Sequence, residues 1–169
     1  MNFLLKQGKF VIIASLILLG INACKKQETA QQKYDKEQVA LANYLKIKYN
    51  DTLVPKASGL YYIETLKGTG VKASYGRLVT VNYTGRFLDG TVFESSDELN
   101  SDGIKVGPFV FSVGYGEVIA GWDEALQYMR DGGKATLIIP SSIGYGAAGN
   151  GNVPGYTTII FDIEVINVL

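Results

Sequence analysis

The sequence predicts an α+β domain in which an antiparallel sheet buries one face on a single internal helix. Short alternating segments lie on both sides of one amphipathic stretch at residues 118–129. That stretch is too short to serve as the crossover of a classical parallel α/β fold. Tyr and Gly are abundant, 11 and 20 of 169 residues, as suits pleated strands joined by tight turns.

Residues 1–23 read as a leader rather than as fold. Lys6 and Lys9 form its basic start, and residues 10–19 form an apolar run. The run falls short of the roughly 20 residues a membrane helix needs. Ile21-Asn22-Ala23-Cys24 then resembles a bacterial lipobox. Its functional reading is cleavage before Cys24 and lipidation there, which attaches the chain stably to a membrane because such lipoproteins carry two or three acyl chains. The alternative is an ordinary signal peptide, or an uncleaved anchor, with an incidental cysteine. Lys25 follows where Gram-negative lipoproteins retained at the inner membrane resemble one another in having Asp, so the expected address is the outer membrane of the cell envelope.

Residues 24–56 read as a tether. The first part, to Gln32, is polar and lacks apolar periodicity, the mark of a flexible spacer. A helix is expected over 34–49, where Val39, Leu41, Ala42, Leu45, Ile47 and Tyr49 recur near helical spacing. Asp35 and Glu37 come early and Lys46 and Lys48 late, an order that suits the helix dipole. Asn50-Asp51 and Pro55 end it. It is either a docking helix for a partner or second protomer, or else a helix packed on its own domain or a semi-ordered spacer.

The domain itself is expected over 57–169. Residues 60–66 alternate as a strand. Val79, Val81 and Tyr83 form one face of a second, and Asp89-Gly90 signals a hairpin into a third at 91–94. Residues 108–113 form a fourth. Over 118–129 Ile119, Trp122, Leu126 and Met129 fall on one helical stripe, with Gly132-Gly133 as terminator. Residues 135–139 and 157–168 are strongly β-branched strands.

Composition removes several chemistries. Sixteen basic and 16 acidic residues leave no basic excess to suggest nucleic acid. His is absent, which excludes Ser-His-Asp and Cys-His catalysis and most catalytic zinc sites. Cys24 is the sole cysteine, so no intramolecular disulfide forms. The Gly-rich run from Gly144 lacks the Gly-Lys-Ser/Thr of a phosphate loop. Ser95-Ser96 and Ser141-Ser142 have no evident base beside them. No acidic pattern holds calcium. What remains is aromatic and apolar. Periodicity alone allows either plain core or an open pocket, although Tyr145 sits in a Gly-rich loop, where core packing seldom places an aromatic.

The segments VNYTGRFLDGTVFESS, GYGEVIAGWDEAL, IIPSSIGYGAAG and TTIIFDIEVINVL, in that order, resemble the FKBP-type peptidyl-prolyl cis-trans isomerases over residues 59–169. The resemblance implies a five-stranded antiparallel sheet curled around a short helix. It implies a pocket with Trp122 as floor and Tyr83, Phe93, Phe109, Val118, Ile119 and Phe161 as walls. The Ile119 N–H and the Tyr145 hydroxyl would bond substrate carbonyls, Glu117 would offer its backbone carbonyl, and a loop over 146–155 with Val153 and Pro154 would overhang the site. Proline-containing polypeptides would be the clients, macrolides would be inhibitors, and no metal or cofactor would be needed. Three departures from the family pattern stand out. Glu94 replaces the usual Asp after the pocket Phe, the segment 97–107 is longer, and Gly155 stands where a second proline is common. Glu94 bears on macrolide affinity more than on turnover, the longer segment bears on access to the pocket, the overhanging loop is shorter than usual, and a reduced activity is expected. The function implied is a lipid-anchored folding helper for envelope proteins. The alternative is a weakly catalytic or non-catalytic proline-binding module in an envelope complex, such as a gliding-associated one.

Overall fold

The computed structural model describes residues 27–99 and 104–169, so the leader and Cys24 lie outside the described residues. The chain runs through α1 (Ala30–Tyr49), β1 (Tyr61–Leu66), β2 (Leu78–Phe87), β3 (Val92–Ser95), β4 (Phe109–Ser112), α2 (Ala120–Leu126), β5 (Lys134–Ile139) and β6 (Ile159–Val168), with a 3-10 turn at Ser141–Ile143. Among the described residues no helix is long and apolar enough to cross a membrane.

The sheet is antiparallel and has six strands, in the order β1-β5-β6-β2-β3 with β4 also paired to β2. The expected five become six because two short strands share one edge of a long one. β4 pairs with β2 from Leu78 to Val81, and β3 pairs with it from Thr84 to Arg86. The other edge of β2 is taken by β6 from Val79 to Phe87.

Alternation along the strands sorts the side chains onto two covered faces. Val79, Val81, Tyr83, Leu137, Ile139, Phe161 and Ile163 pack with Trp122, Ala125 and Leu126 of α2. Ile138 and Ile160 point the other way and meet Leu41 and Leu45 of α1. Covering on both sides explains why β5 and the start of β6 read as continuous apolar runs rather than as alternation. Each such buried aliphatic side chain contributes about 1.5–3 kcal/mol.

The helix α1 starts four residues before the expected boundary, inside what reads as a polar spacer. Thr29 accepts from the Gln32 N–H at 3.2 Å, and the Gln32 side chain accepts from the Thr29 N–H at 2.9 Å. This reciprocal cap needs no apolar periodicity. Asn50 closes the helix in the left-handed conformation at φ 51°. Its buried positions are Glu37, Leu41 and Leu45, one every four residues, whereas Val39 and Ile47 are exposed. A carboxylate therefore occupies the first position of the buried stripe, which hydrophobic spacing does not reveal.

The internal helix is shorter than the expected 118–129. Ile119 is its N-cap, and it ends at Leu126 rather than at Gly132-Gly133. Residues 127–129 instead make i→i+3 bonds, from Gln127 to Glu124, Tyr128 to Ala125 and Met129 to Leu126, which tighten the last turn. The stripe survives, since Trp122, Leu126 and Met129 are all buried. The last strand begins at Ile159 rather than at residue 157, and the Thr158 hydroxyl just before it donates to Glu37 of α1.

Tyr62 on β1 packs edge-on to Tyr128 at 5.4 Å, and its buried hydroxyl has no hydrogen-bond partner among the described residues. Burial, with a smaller effect of the Glu64 charge, pushes the phenol up to about 12 from an ordinary 10.0. The folded chain thus holds that proton more tightly than the unfolded chain, and its stability falls as pH rises from about 10 toward about 12. Tyr62→Phe is expected to leave the melting temperature at pH 7 unchanged or slightly raised, since it removes an unsatisfied group. It should also flatten the alkaline loss of stability. Thermal melts across pH check both.

Candidate functional site

A cavity of about 570 Å³ opens at one end of the sheet between β2, α2 and the loop that follows β5. Trp122, Tyr83, Phe161 and Phe109 supply its aromatic lining, and Val118 and Ile119 add aliphatic surface. A larger concavity of about 700 Å³ lies between α1 and the same loop, but Phe87, Leu88 and Tyr156 stand there among charged and small side chains rather than as a converging aromatic cluster. Chemistry rather than size singles out the first.

The rings pack on one another edge to face. Trp122 lies 5.2 Å from Tyr83 and 5.0 Å from Phe161, with interplanar angles of 76° and 88°. Phe93 stands edge-on to Phe161 at 5.6 Å. Such pairs favour this geometry because the positive edge of one ring meets the negative face of the next. The strand register assembles them, for Gly85 on β2 lies opposite both Phe161 on β6 and Glu94 on β3. A methyl group on Gly85 would come within 2.7 Å of both the Phe93 and Phe161 rings. The missing side chain is what lets two rings close over the strand.

Trp122 enters from α2, and the loop before α2 is held by Asp123. Its two carboxylate oxygens accept from the N–H groups of Gly114 at 2.8 Å and Gly116 at 2.9 Å. This aims Val118 and Ile119 at the cavity. Ile119 is the N-cap of α2, and its N–H finds no acceptor among the described residues. A free donor therefore sits on the cavity rim. The buried indole N–H of Trp122 also has no acceptor among the described residues.

Two phenols complete the polar equipment. The Tyr83 hydroxyl donates to Glu94 Oε1 at 2.7 Å. Burial, reinforced by that carboxylate, holds its proton well above the ordinary tyrosine range. Tyr145 is half-buried. Burial and the Glu94 charge raise its phenol too, against a smaller opposing effect of the Asn150 side chain. Both remain O–H groups through the neutral range. Among the described residues no three His, Cys, Asp or Glu side chains gather as a metal site would require.

Nine of the expected site residues line this cavity: Tyr83, Glu94, Phe109, Glu117, Val118, Ile119, Trp122, Tyr145 and Phe161. Phe93 and Val153 do not. They line a smaller adjoining hollow of about 190 Å³ that shares Glu94, Tyr145 and Asn150 with it. Val153 is buried because the loop doubles back, with Asn150 and Val153 exchanging both backbone bonds at 2.9 and 2.8 Å. The sequence reading missed Val106, Asn150, Gly85 and Asp123. A Gly inside a strand pattern is the one signal that pointed toward Gly85. The departure at Gly155 has a steric cause, since a Cβ there would collide with the Ala147 carbonyl.

Residues 70–166 match the family model for FKBP-type peptidyl-prolyl cis-trans isomerase. An FK506-binding protein of Neisseria meningitidis is 41% identical over 111 residues, covering 65% of this chain and 96% of that one. Human peptidyl-prolyl cis-trans isomerase FKBP2 is 41% identical over 99 residues, 58% of this chain and 66% of that one. Among solved structures, a peptidyl-prolyl isomerase of Pseudomonas syringae superposes with TM-score 0.67 at 33% identity, covering 84% of this chain and 97% of that one. FkpA of Escherichia coli superposes with TM-score 0.68 at 30% identity, covering 82% and 61% respectively.

Gly85→Ala is expected to push Phe93 and Phe161 apart and to cost about 1–3 kcal/mol by overpacking. Because Trp122 is the only tryptophan and touches Phe161, its emission should shift in the folded variant. Chemical denaturation and fluorescence spectra check the two effects.

Proposed function

The chain belongs to the FKBP-type peptidyl-prolyl cis-trans isomerases and is an isomerase of X–Pro bonds, and from that premise we propose that the aromatic cavity is its prolyl site and that it works as a lipid-anchored folding helper in the cell envelope. The observation that carries the site is the cavity lined by Trp122 and four further aromatic side chains, with a backbone donor at its rim that has no acceptor among the described residues.

The reaction asks for little else. Rotation about the peptide bond is opposed by amide resonance, with a barrier of about 18–20 kcal/mol. The planar amide is more charge-separated than the twisted one, so an apolar site penalises the ground state more than the transition state. Trp122 is the floor for the proline ring, with Tyr83, Phe109, Val118 and Phe161 around it. The Ile119 N–H and the Tyr145 hydroxyl hold carbonyls on either side while the bond turns, and the Glu117 carbonyl takes a substrate donor. This is preferential binding of the twisted state. Lowering the barrier by about 7 kcal/mol corresponds to roughly 10⁵-fold acceleration. Glu94 holds Tyr83 in place and, being one methylene longer than the family's usual Asp, alters the rim that a macrolide such as FK506 would meet.

The proposed anchor is lipidated Cys24, a few residues before α1, in the outer membrane of a Gram-negative cell. Its support is the apolar run at residues 10–19, the Ile21-Asn22-Ala23-Cys24 that follows it, and the placement of the sole cysteine there. The test is fractionation of cells expressing the full chain. The wild type is expected with membranes and labelled by a palmitate analogue, and Cys24→Ala is expected unlabelled. Equal labelling of both would exclude the anchor.

The catalytic test is cis/trans exchange on X–Pro peptides with the chain from Lys25 onward. A folded Trp122→Ala variant is expected to lose at least about 100-fold in kcat/KM, and FK506 to inhibit the wild type. Since both phenols keep their protons through neutrality, kcat/KM should stay flat from about pH 6 to about pH 9. A bell-shaped profile there would mean an acid–base step that this site does not supply.

A further inference from the structure

We infer that Glu37, on the N-terminal helix, is a positioning residue for Tyr145, so that α1 is a working part of the isomerase site rather than a spacer. The inference rests on the role given to Tyr145 above. Glu37 lies outside the residues matched by the family model, and the match says nothing about it.

Glu37 is a carboxylate with only 4% of its surface exposed. Oε1 accepts from the Ser141 N–H at 2.6 Å and from the Thr158 hydroxyl at 2.8 Å. Oε2 accepts from the Ser141 hydroxyl at 2.6 Å. Ser141 and Thr158 are the two ends of the loop that leaves β5, carries Tyr145 and Asn150 to the cavity, and returns to β6. One side chain from a distant helix thus clamps both ends of that loop.

The clamp reaches Tyr145 by a short chain of bonds. The Ser141 carbonyl accepts from the N–H groups of Gly144 at 3.0 Å and Gly146 at 2.9 Å, the residues on either side of Tyr145. Gly146 in turn accepts from the Tyr156 N–H at 2.9 Å, two residues before Thr158. Without Glu37, Ser141 keeps its acceptor role toward the glycines but loses the bonds that fix its own position. Tyr145 sits on Gly-flanked backbone, with its ring against the core and Asn150 beside its hydroxyl, so the position of its Cα sets where the hydroxyl lies. Small displacements of a group that orients substrate cost large factors in rate. Leu41 and Leu45 hold α1 on Ile138 and Ile160, which sets Glu37 at the right depth.

The test uses the chain from Lys25 onward with Glu37→Ala, Glu37→Gln and Thr158→Val, each alone and with Tyr145→Phe. Exchange rates on an X–Pro peptide are read at a temperature where circular dichroism shows every variant folded. Glu37→Ala is expected to lower kcat/KM about tenfold, and Glu37→Gln, which keeps an acceptor for two of the three donors, to stay within about threefold of wild type. In the Tyr145→Phe background the cost of Glu37→Ala should shrink below about twofold, because both changes remove one function. Amide exchange of Gly144 and Gly146 should quicken in Glu37→Ala while that of Ile138 does not. A folded Glu37→Ala with wild-type kcat/KM overturns the inference, as does a cost that adds in full to that of Tyr145→Phe. A Tyr145→Phe variant with wild-type activity would instead remove the role given to Tyr145. If Glu37→Ala does not fold, Thr158→Val replaces it, with about threefold loss expected, masked in the same way, and wild-type activity overturning the inference.

Discussion

Antiparallel pairing of β2 with β6, from Val79 to Phe87 on one strand and Ile159 to Val168 on the other, holds Gly85 opposite Phe161 and Tyr83 opposite Ile163. The rest of the site is built outward from that register. Because side chains alternate, a slip of one residue would turn Tyr83 and Phe161 out of the core and bring Asn82 and Asp162 in. The burial of Val79, Val81 and Ile163 on the same face makes such a slip costly. The absence of a side chain at Gly85 then allows rings from two neighbouring strands to meet above β2. Trp122 seals the cluster from α2. Aromatic packing and strand pairing are therefore one constraint seen from two sides.

Carboxylates do the remaining positioning, and each does so by accepting hydrogen bonds rather than by taking or giving a proton. Asp123 gathers two backbone N–H groups of the segment that carries Val118 and Ile119. Glu94 orients the Tyr83 phenol. Glu37 gathers three donors from the ends of the Tyr145 loop. Charge-assisted bonds of this kind are short and directional, so they define loop geometry where few apolar contacts are available. Surface ion pairs such as Lys134–Glu164 at 3.1 Å are by contrast largely solvent-exposed and contribute little. Isomerisation of an X–Pro bond needs a shaped, dry surface with well-placed donors, and the aromatic cavity proposed as the prolyl site offers packed rings and two phenols that keep their protons through neutrality.

Much of this was legible in the chain. The alternation at residues 79–83, the Asp89-Gly90 turn and the Trp122–Leu126–Met129 stripe follow from periods of two and 3.6 residues, and each is local. Absence of His and the isolation of Cys24 excluded whole classes of catalysis from composition alone. The order and spacing of the aromatic motifs identified the family, and nine of the site residues they marked do line one cavity. The sequence could not show that Phe93 and Val153 lie in an adjoining hollow, because that depends on how the loop after β5 doubles back.

What only the tertiary structure decided concerns residues whose partners are remote in the chain. Glu37 meets Ser141 and Thr158 across separations of 104 and 121 residues, and no local pattern marks a carboxylate on the buried stripe of a helix. The extent of α1 depended on a reciprocal cap, and the number of strands on two short segments sharing an edge of β2. Gly85 reads as a weak point in a strand until the rings that need its space are in place. The sequence by itself determined the class of the fold, the family and the chemistry that was excluded, because hydrophobic period and residue type act locally. The tertiary structure decided which groups converge, because hydrogen bonds and ring contacts between distant segments exist only once the sheet has brought them together.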